Sequence, residues 1–429
     1  MKRLFAIFAL WCLSALALAG VNIQHWTTTG GARVYFVESS ALPILDVQVD
    51  FAAGSMFDPP GKSGVAALTR SLLDLGAGEL DENAIADRLA DLGAGMGGGA
   101  DTDRASVSLR TLAAADKRGP ALELLRLVLQ SPRFDAAVFE REKARTIAAL
   151  KEALTRPDTI AGRTFWAALY PEHPYGRKTS PEELAALTRE DLQGFFQRYY
   201  NVRNASITIV GQLSRQEAGQ LAERLAASLP AGEAPTLPAA PQIGKGRTGI
   251  VAHPASQSHI YVGIPAIERG HADFFPMLVG NYTLGGGGFV SRLMKEVRDK
   301  RGYAYSVYST FAPLRQPGPF QIGLQTKRSQ AGEALKVVRS VLDGFLREGP
   351  TAEELAAAKA NLIGSFPLRL DSNRKILDNV ATIGFYGLPL DYLDTYQQKV
   401  AAVTAEQVKQ AFARHVRSEN LVTVMVAAD

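Results

Sequence analysis

The sequence predicts an α+β protein made of two similar halves, each a mainly antiparallel sheet covered by helices. Three observations carry that expectation. The chain repeats itself: Thr188–Gly211 (TREDLQGFFQRYYNVRNASITIVG) and Thr404–Ala427 (TAEQVKQAFARHVRSENLVTVMVA) match at a shift of 216 positions, each with a capping Thr, a run at helical spacing and a β-branched strand. Clusters of strands are separated by clusters of helices, the order of an α+β fold. Hydrophobic residues make up 46% and charged residues 21% of the 429, a composition that excludes intrinsic disorder.

In chain order, residues 1–20 read MKRLFAIFALWCLSALALAG, two cations followed by an apolar run and small residues at Ala15, Ala17 and Ala19. That pattern is a secretory signal peptide spanning 1–19, shorter in its apolar part than the roughly 20 residues of a membrane span. The expectation is a soluble exported chain, in the periplasm of a bacterium. The single cysteine, Cys12, lies inside this leader behind bulky Leu10 and Trp11, so the mature chain is expected to hold no disulfide and no thiol nucleophile. A first domain is expected over 20–230, a linker over 231–246 (AGEAPTLPAAPQIGKG) that its prolines keep extended, and a second domain over 247–429.

Within the first half, Val34–Glu38, Leu45–Phe51 and Ala105–Leu112 alternate as strands do. Lys62–Leu75, Glu82–Leu92, Ala121–Leu129 and Ala136–Leu154 have helical spacing, with Ser131-Pro132 as a break. The glycine-rich stretch Gly93–Gly99 is either a bulged turn or an edge bare enough to accept an extended peptide by strand addition. In the second half, strands are expected at Ile250–Ala252, His259–Ile264, Ala304–Thr310 and Phe320–Thr326, and helices at Phe274–Thr283 and Phe289–Lys300. Ala334, Val338, Val341, Leu342 and Phe345 form one helical face, and Thr351 with Glu354 is a capping box.

Charge excludes little but does remove one class. Forty-seven Lys and Arg against 43 Asp and Glu leave +4, with no basic cluster, so neither nucleic acid nor an anionic membrane is an expected partner. Gly285, Gly286, Gly287 and Gly288 are not a phosphate cradle, because no Lys-Ser/Thr follows. No Gly-x-Ser-x-Gly elbow is present. The six histidines (His25, His173, His253, His259, His271 and His415) contain no pair four apart, the spacing that lets two imidazoles on one helical face share a metal ion.

Three segments in order then carry a resemblance: GSMFDPPGKSGVAALTRSLL (54–73), HPYG (173–176) and LGGGGFVSRLMKEVRDKRGYAYSVYS (284–309). Together they resemble the M16 family of zinc metallopeptidases, which includes insulinase, pitrilysin and the mitochondrial processing peptidase. The resemblance implies two homologous M16-type domains arranged as half of a clamshell. It also implies an inverted zinc motif, His-x-x-Glu-His, on the helix after the Pro-Gly-Lys turn. Here those positions hold Ala67, Arg70 and Ser71, and the third ligand position falls at about Ala149. A methyl cannot bind zinc and a guanidinium cannot act as a base at neutral pH, so no metal is expected in this chain. Arg70 is expected to fill the vacant place by pairing with a carboxylate.

The second half keeps what the family uses to grip substrate: the resemblance implies that Arg298 and Tyr305 contact a peptide near its scissile bond, and that the glycine loop Gly285–Gly288 touches it. A turn at Gly302 brings two residues seven apart side by side across a helix-to-strand reversal. The alternative is that Arg298 makes a surface ion pair and Tyr303, Tyr305 and Tyr308 pack on the sheet. The resulting expectation is the zinc-less subunit of a heteromeric periplasmic M16 metallopeptidase, inactive alone. Its partner would be a zinc-bearing M16 subunit and its ligand a peptide or unfolded polypeptide. A peptide-binding or scaffold protein without hydrolysis is the other reading.

Overall fold

The computed structural model describes residues 20–427, so the leader assigned to 1–19 lies outside the described residues. The first half contributes β1 (Gln24–Thr27), β2 (Arg33–Glu38), β3 (Ile44–Phe51), α1 (Val65–Leu72), β4 (Gly76–Ala77), β5 (Leu80–Asp81), α2 (Glu82–Leu92), β6 (Gly95–Ala100) and β7 (Ala105–Leu112). It continues through α3 (Ala115–Gln130), α4 (Ala136–Ala153), α5 (Pro157–Leu169), α6 (Pro181–Ala186), α7 (Arg189–Tyr199), β8 (Ala205–Gly211) and α8 (Arg215–Ala227). The second half holds β9 (Thr248–Val251), β10 (Gln257–Ile267), α9 (Phe274–Asn281), β11 (Ala304–Phe311), β12 (Gly318–Lys327) and α10 (Ala331–Glu348). It ends with α11 (Ala352–Gly364), α12 (Asn373–Tyr386), α13 (Tyr392–Ala402), α14 (Ala405–His415) and β13 (Val422–Val426).

The two main sheets have the same wiring. One runs β1-β2-β8-β3-β7-β6 and the other β11-β12-β10-β13-β9, so that, read from opposite ends, β2-β8-β3-β7-β6 corresponds to β9-β13-β10-β12-β11. In each, one pair is parallel, β2 with β8 and β13 with β9, and the rest are antiparallel. The repeated segments occupy equivalent places: Thr188 and Thr404 each close a capping box, on α7 and α14, and lead into β8 and β13. Even the backbone reversal after the strand is shared, with positive φ at Gly211 and at Ala427.

Two expected elements come out differently. The helix expected over Lys62–Leu75 is only Val65–Leu72, because Asp58 accepts from Gly64 N (2.6 Å) and Ala66 N (2.9 Å) and Gly64 sits at φ +101, which fixes the start. The helix expected over Phe289–Lys300 is a short 3₁₀ turn at Gly288–Val290 followed by a π-helical stretch, Met294–Asp299. Elsewhere the agreement is close: Ala334, Val338, Leu342 and Phe345 of α10 are buried, and Thr351 and Glu354 make their capping box.

Each sheet is covered on one face by its own half and on the other by a helix from the opposite half. Leu45, Val47, Val49 and Phe51 of β3 belong to the first core. The reverse face of β3 carries Asp46, Gln48 and Asp50, all buried because α12 packs across β8, β3 and β2. Reciprocally, α5 lies on β13 and β10, with Phe165 stacked 5.4 Å from the Tyr261 ring. Neither half can leave without exposing a sheet face of the other. The segment between the sheets has no regular structure from 230 to 247 and is pinned by Gln316 Nε2 to Pro238 O (2.7 Å) and Asn420 Nδ2 to Gly244 O (2.8 Å). No helix among the described residues is long and apolar enough to cross a membrane.

A titration prediction follows from the polar face under α12. Asp50 is fully buried, receives both of its side-chain hydrogen bonds from Gln48 Nε2 and lies 3.5 Å from Arg104. Burial pushes its carboxyl up to about 6 against the pull of the Arg104 guanidinium. A carboxyl raised in the folded state contributes stability that is fully present below about pH 4 and is lost as the pH climbs through about 6. Asp50→Asn is expected to remove this slope, on the order of 3 kcal/mol between pH 4 and pH 7. Urea denaturation across that range checks it, and an unchanged slope excludes Asp50 as the source.

Candidate functional site

The helix that follows the Pro-Gly-Lys turn presents one exposed face and one buried one. Ala67 and Ser71, four apart, lie on the exposed face, and Ser71 Oγ donates back to Leu68 O of its own helix at 2.9 Å. Arg70 points inward and is 4% exposed. Its Nε donates to Ser106 O of β7, its Nη2 to Gly97 O of β6 at 2.6 Å, and its Nη1 lies 3.4 Å from Asp74. The expected carboxylate partner is therefore present, but the shorter bonds go to backbone carbonyls. Ala149 is exposed on α4, and Glu142 on the same helix is buried between Arg141 (3.0 Å) and Arg145 (3.3 Å).

These residues do not fit a zinc ion. Ala67 and Ala149 offer no donor atom, and the guanidinium of Arg70 brings positive charge where a ligand set needs lone pairs. Among the described residues one cluster has metal-ligating groups in reach, His271, Asp273 and His415. The sequence could not show it, because the fold brings the turn before α9, which holds His271 and Asp273, against His415 at the end of α14, far away in the chain. Its carboxylate is already committed: Asp273 accepts from Arg414 Nη2 (2.8 Å) and pairs with His415 Nε2 (2.8 Å), and its own N–H donates to His271 Nδ1 (3.0 Å). It reads as an ion-paired junction between helices.

Of the stretch Gly93–Gly99, Gly93 ends α2 at φ +60, and Gly95–Gly99 lie in the strand β6. β6 pairs with β7 and is the edge of the first sheet. Only Gly98 is there for backbone reasons, at φ +126 with Arg70 Nη2 at 2.8 Å from where a Cβ would be. Gly95 and Gly99 have nothing within 4 Å of a Cβ, and Gly97 only Ser108 Oγ at 3.7 Å. Glycine weakens a strand, so positions that the chain's own packing leaves free point to close approach by another backbone.

The equivalent edge of the second sheet is β11, and it carries Tyr305. Register shifts between Ala304 and Val307, so Tyr305 sits in an irregularity that turns its ring outward, where it is 88% exposed. Gly302, at φ +62, closes the reversal with Gly302 N to Arg298 O (2.8 Å) and Tyr303 N to Val297 O (2.9 Å). Arg298 then lies 5.3 Å from the Tyr305 ring and 4.9 Å from that of exposed Phe289. An aromatic pair flanking a guanidinium is the result. The glycine loop supports this corner through bare backbone: a Cβ at Gly285 would strike Ser309, and one at Gly286 would come within 2.6 Å of Asn281 Nδ2. Ser309 Oγ donates to Asn281 Oδ1 at 2.8 Å across the same contact, and α9 widens into a π-turn at Tyr282–Gly286. Phe289 was not singled out in the sequence; its place directly after four glycines is the signal that could have found it.

HPYG belongs to neither edge. Tyr175 donates to Asp103 Oδ1 (2.7 Å) and accepts from Gln316 N (3.1 Å), while Asp103 Oδ2 accepts from Tyr386 (2.9 Å) and from Arg315 N (2.8 Å). The motif is a buried polar joint between the halves. Burial and then the Asp103 charge push the Tyr175 and Tyr386 phenols well above their ordinary range.

The doubled fold with its equivalent sheet edges β6 and β11 is that of a two-domain peptidase scaffold, and the helix expected to carry metal ligands bears Ala67, Arg70 and Ser71. The chain belongs to the M16 peptidase family. Residues 33–182 match the family described as Insulinase (Peptidase family M16), and residues 186–362 match Peptidase M16 inactive domain. A crystal structure of a peptidase M16 inactive domain from Pseudomonas fluorescens is similar at 38% identity, covering 94% of this chain and 98% of that one, with a TM-score of 0.91. The non-peptidase homolog YmxG of Helicobacter pylori is 25% identical over 92% of this chain and 91% of its own length. The periplasmic protease PqqL of Escherichia coli shares the fold at 16% identity and a TM-score of 0.82, and this chain covers 46% of it.

Proposed function

We propose that this chain is the zinc-less subunit of a heteromeric, exported M16 metallopeptidase. The observation that carries the reading is the contrast between the halves. The first has Ala67, Arg70 and Ser71 at the metal positions, whereas the second presents Arg298, Phe289 and Tyr305 together at an open sheet edge. In this reading a zinc-bearing M16 partner supplies the metal and the base, and this chain supplies peptide contacts. An extended peptide pairs with β6 through backbone hydrogen bonds. The Tyr305 hydroxyl donates to a peptide carbonyl oxygen as negative charge grows on it, and Arg298 holds neighbouring carbonyls and adds positive charge. Gly286, Gly287 and Gly288 give the peptide a side-chain-free surface, whereas Gly285, expected to share that role, is buried against Ser309 and takes no part in it.

The Pseudomonas and Helicobacter relatives, described as an inactive domain and a non-peptidase, support the zinc-less half of this reading. That the chain spans about half of a periplasmic protease of the same fold supports a pairing of two such chains into a clamshell. The leader at 1–19 supports export to the periplasm. The bare edge of β6 also favours a second reading, a protein that binds peptides or scaffolds a complex without hydrolysis.

The test is reconstitution. Purified chain, its zinc-bearing M16 partner and the two mixed are assayed on a quenched fluorescent peptide, with and without chelator. The mixture is expected to cleave at least about tenfold faster than the partner alone, and this chain alone not at all. A mixture no faster than the partner sinks the split-peptidase reading, and chelator-sensitive turnover by this chain alone sinks the zinc-less one. Peptide binding by this chain without any partner effect selects the binding module.

A further inference from the structure

We propose that Arg70, at the position where the family places its catalytic base, is the positioning residue of the peptide-accepting edge: a brace that holds β6 in register from the rigid helix α1. This rests on the reading of β6 as the edge that takes an extended polypeptide.

The edge needs a brace. Four of the six residues of β6 are glycine, so the strand has almost no side chains to pack and a high entropy cost of ordering. As an edge strand it has one neighbour, β7. Arg70 compensates from the outside. Its guanidinium reaches the carbonyl of Gly97 on β6 and that of Ser106 on β7, tying both strands of the hairpin to one buried side chain. Asp74, one helical turn on, lies 3.4 Å from its third nitrogen and helps hold the fork in place. The backbone bends to meet it at Gly98, where a Cβ would lie 2.8 Å from Arg70 Nη2 and would collide with Ser106 O. Ser106 Oγ adds a weaker link, 3.3 Å from Gly99 N.

The chemistry of the replacement gives the inference its content. Two carbonyl oxygens can be bridged only by a donor, and a planar guanidinium presents several in a fixed fork. A carboxylate in the same place accepts and cannot donate, so it could not make either bond. The base position has thus been exchanged for a device that sets the docking edge without metal. The site takes extended polypeptide through its backbone, and the edge is ordered before ligand arrives.

The experiment compares wild type with Arg70→Met, Arg70→Lys and Gly98→Ala in the full mature chain. Amide hydrogen exchange is followed at residues 95–100 and at β3 and β8. Anisotropy is read with a fluorescein-labelled peptide of alternating apolar and polar residues as the probe. Arg70→Met is expected to speed exchange at 95–100 by roughly tenfold or more, with β3 and β8 unchanged, and to weaken probe binding by a similar factor. Arg70→Lys, which keeps a donor but not the fork, should fall between, and Gly98→Ala should behave as Arg70→Met does. Should Arg70→Met fail to fold, the other two variants carry the comparison. Wild-type exchange at 95–100 in folded variants overturns the brace. Faster exchange in variants of a wild type that binds no probe upholds the brace and overturns the peptide-edge reading instead.

Discussion

Asp103→Ala is expected to destabilise the chain by about 3–4 kcal/mol, more than a typical surface or loop substitution. The carboxylate sits in the turn between β6 and β7 and accepts from Tyr175, Tyr386 and Arg315 N, groups drawn from both halves. Alanine leaves two phenolic hydroxyls and a backbone N–H without their acceptor in a buried setting, and each stranded donor costs about 1–3 kcal/mol. The sum falls short of full additivity because the three donors share one acceptor and are lost together. The same substitution should loosen the joint between the halves. Differential scanning calorimetry is expected to show the single transition broadening or dividing, because the apolar contacts of α5 and α12 remain while the polar joint is gone. Tyr175→Phe, which removes one of the three donors to Asp103 and leaves Gln316 N without its acceptor, should cost about 1–3 kcal/mol. If Asp103→Ala unfolds within about half a kilocalorie of wild type, the joint is not what holds the halves in place.

The second large effect concerns catalysis by the reconstituted pair. Tyr305→Phe is expected to lower kcat by about a hundredfold or more and Arg298→Ala by roughly tenfold to a hundredfold, with zinc content unaltered. The ring of Tyr305 is outside the core and Arg298 stacks against it rather than supporting the fold, so neither change should alter melting. That separation makes the result readable: a loss of rate at constant stability and constant affinity for the partner points to contact with the reacting peptide. Phe289→Ala removes the other flank of Arg298 and should raise KM more than it lowers kcat, because an exposed ring offers apolar contact but no donor. A pair in which Tyr305→Phe and Arg298→Ala both keep the wild-type rate would falsify the role given to the second edge.

Much of the architecture was legible in the sequence because it rests on local signals. Apolar alternation placed β3 and β7, Thr351 and Glu354 marked the start of α11, and the repeat at a shift of 216 anticipated that β8 and β13 would be equivalent. The expectation that α1 holds no metal rests on the residue types alone, since a methyl and a guanidinium have no lone pair to give. Where the reading failed, the deciding term was not local. A regular helix over Phe289–Lys300 agrees with its apolar spacing, yet the π-turn before it comes with the close contact of Gly285 against Ser309, a residue of β11.

Three matters were settled only by the tertiary structure. Composition could not distinguish a bulged turn from a strand at Gly95–Ala100, because glycine has no side-chain pattern to read; pairing with β7 and the reach of Arg70 decided it. HPYG carries no sign of its partners, and Asp103, Gln316 and Tyr386 lie far from it in sequence; only the docking of the two halves makes it a joint. His271 and His415 stand with Asp273 for the same reason. The chain's own order thus determined which residues can do chemistry and which cannot. Packing determined which of them meet, because a contact between distant segments depends on the shape of both halves at once.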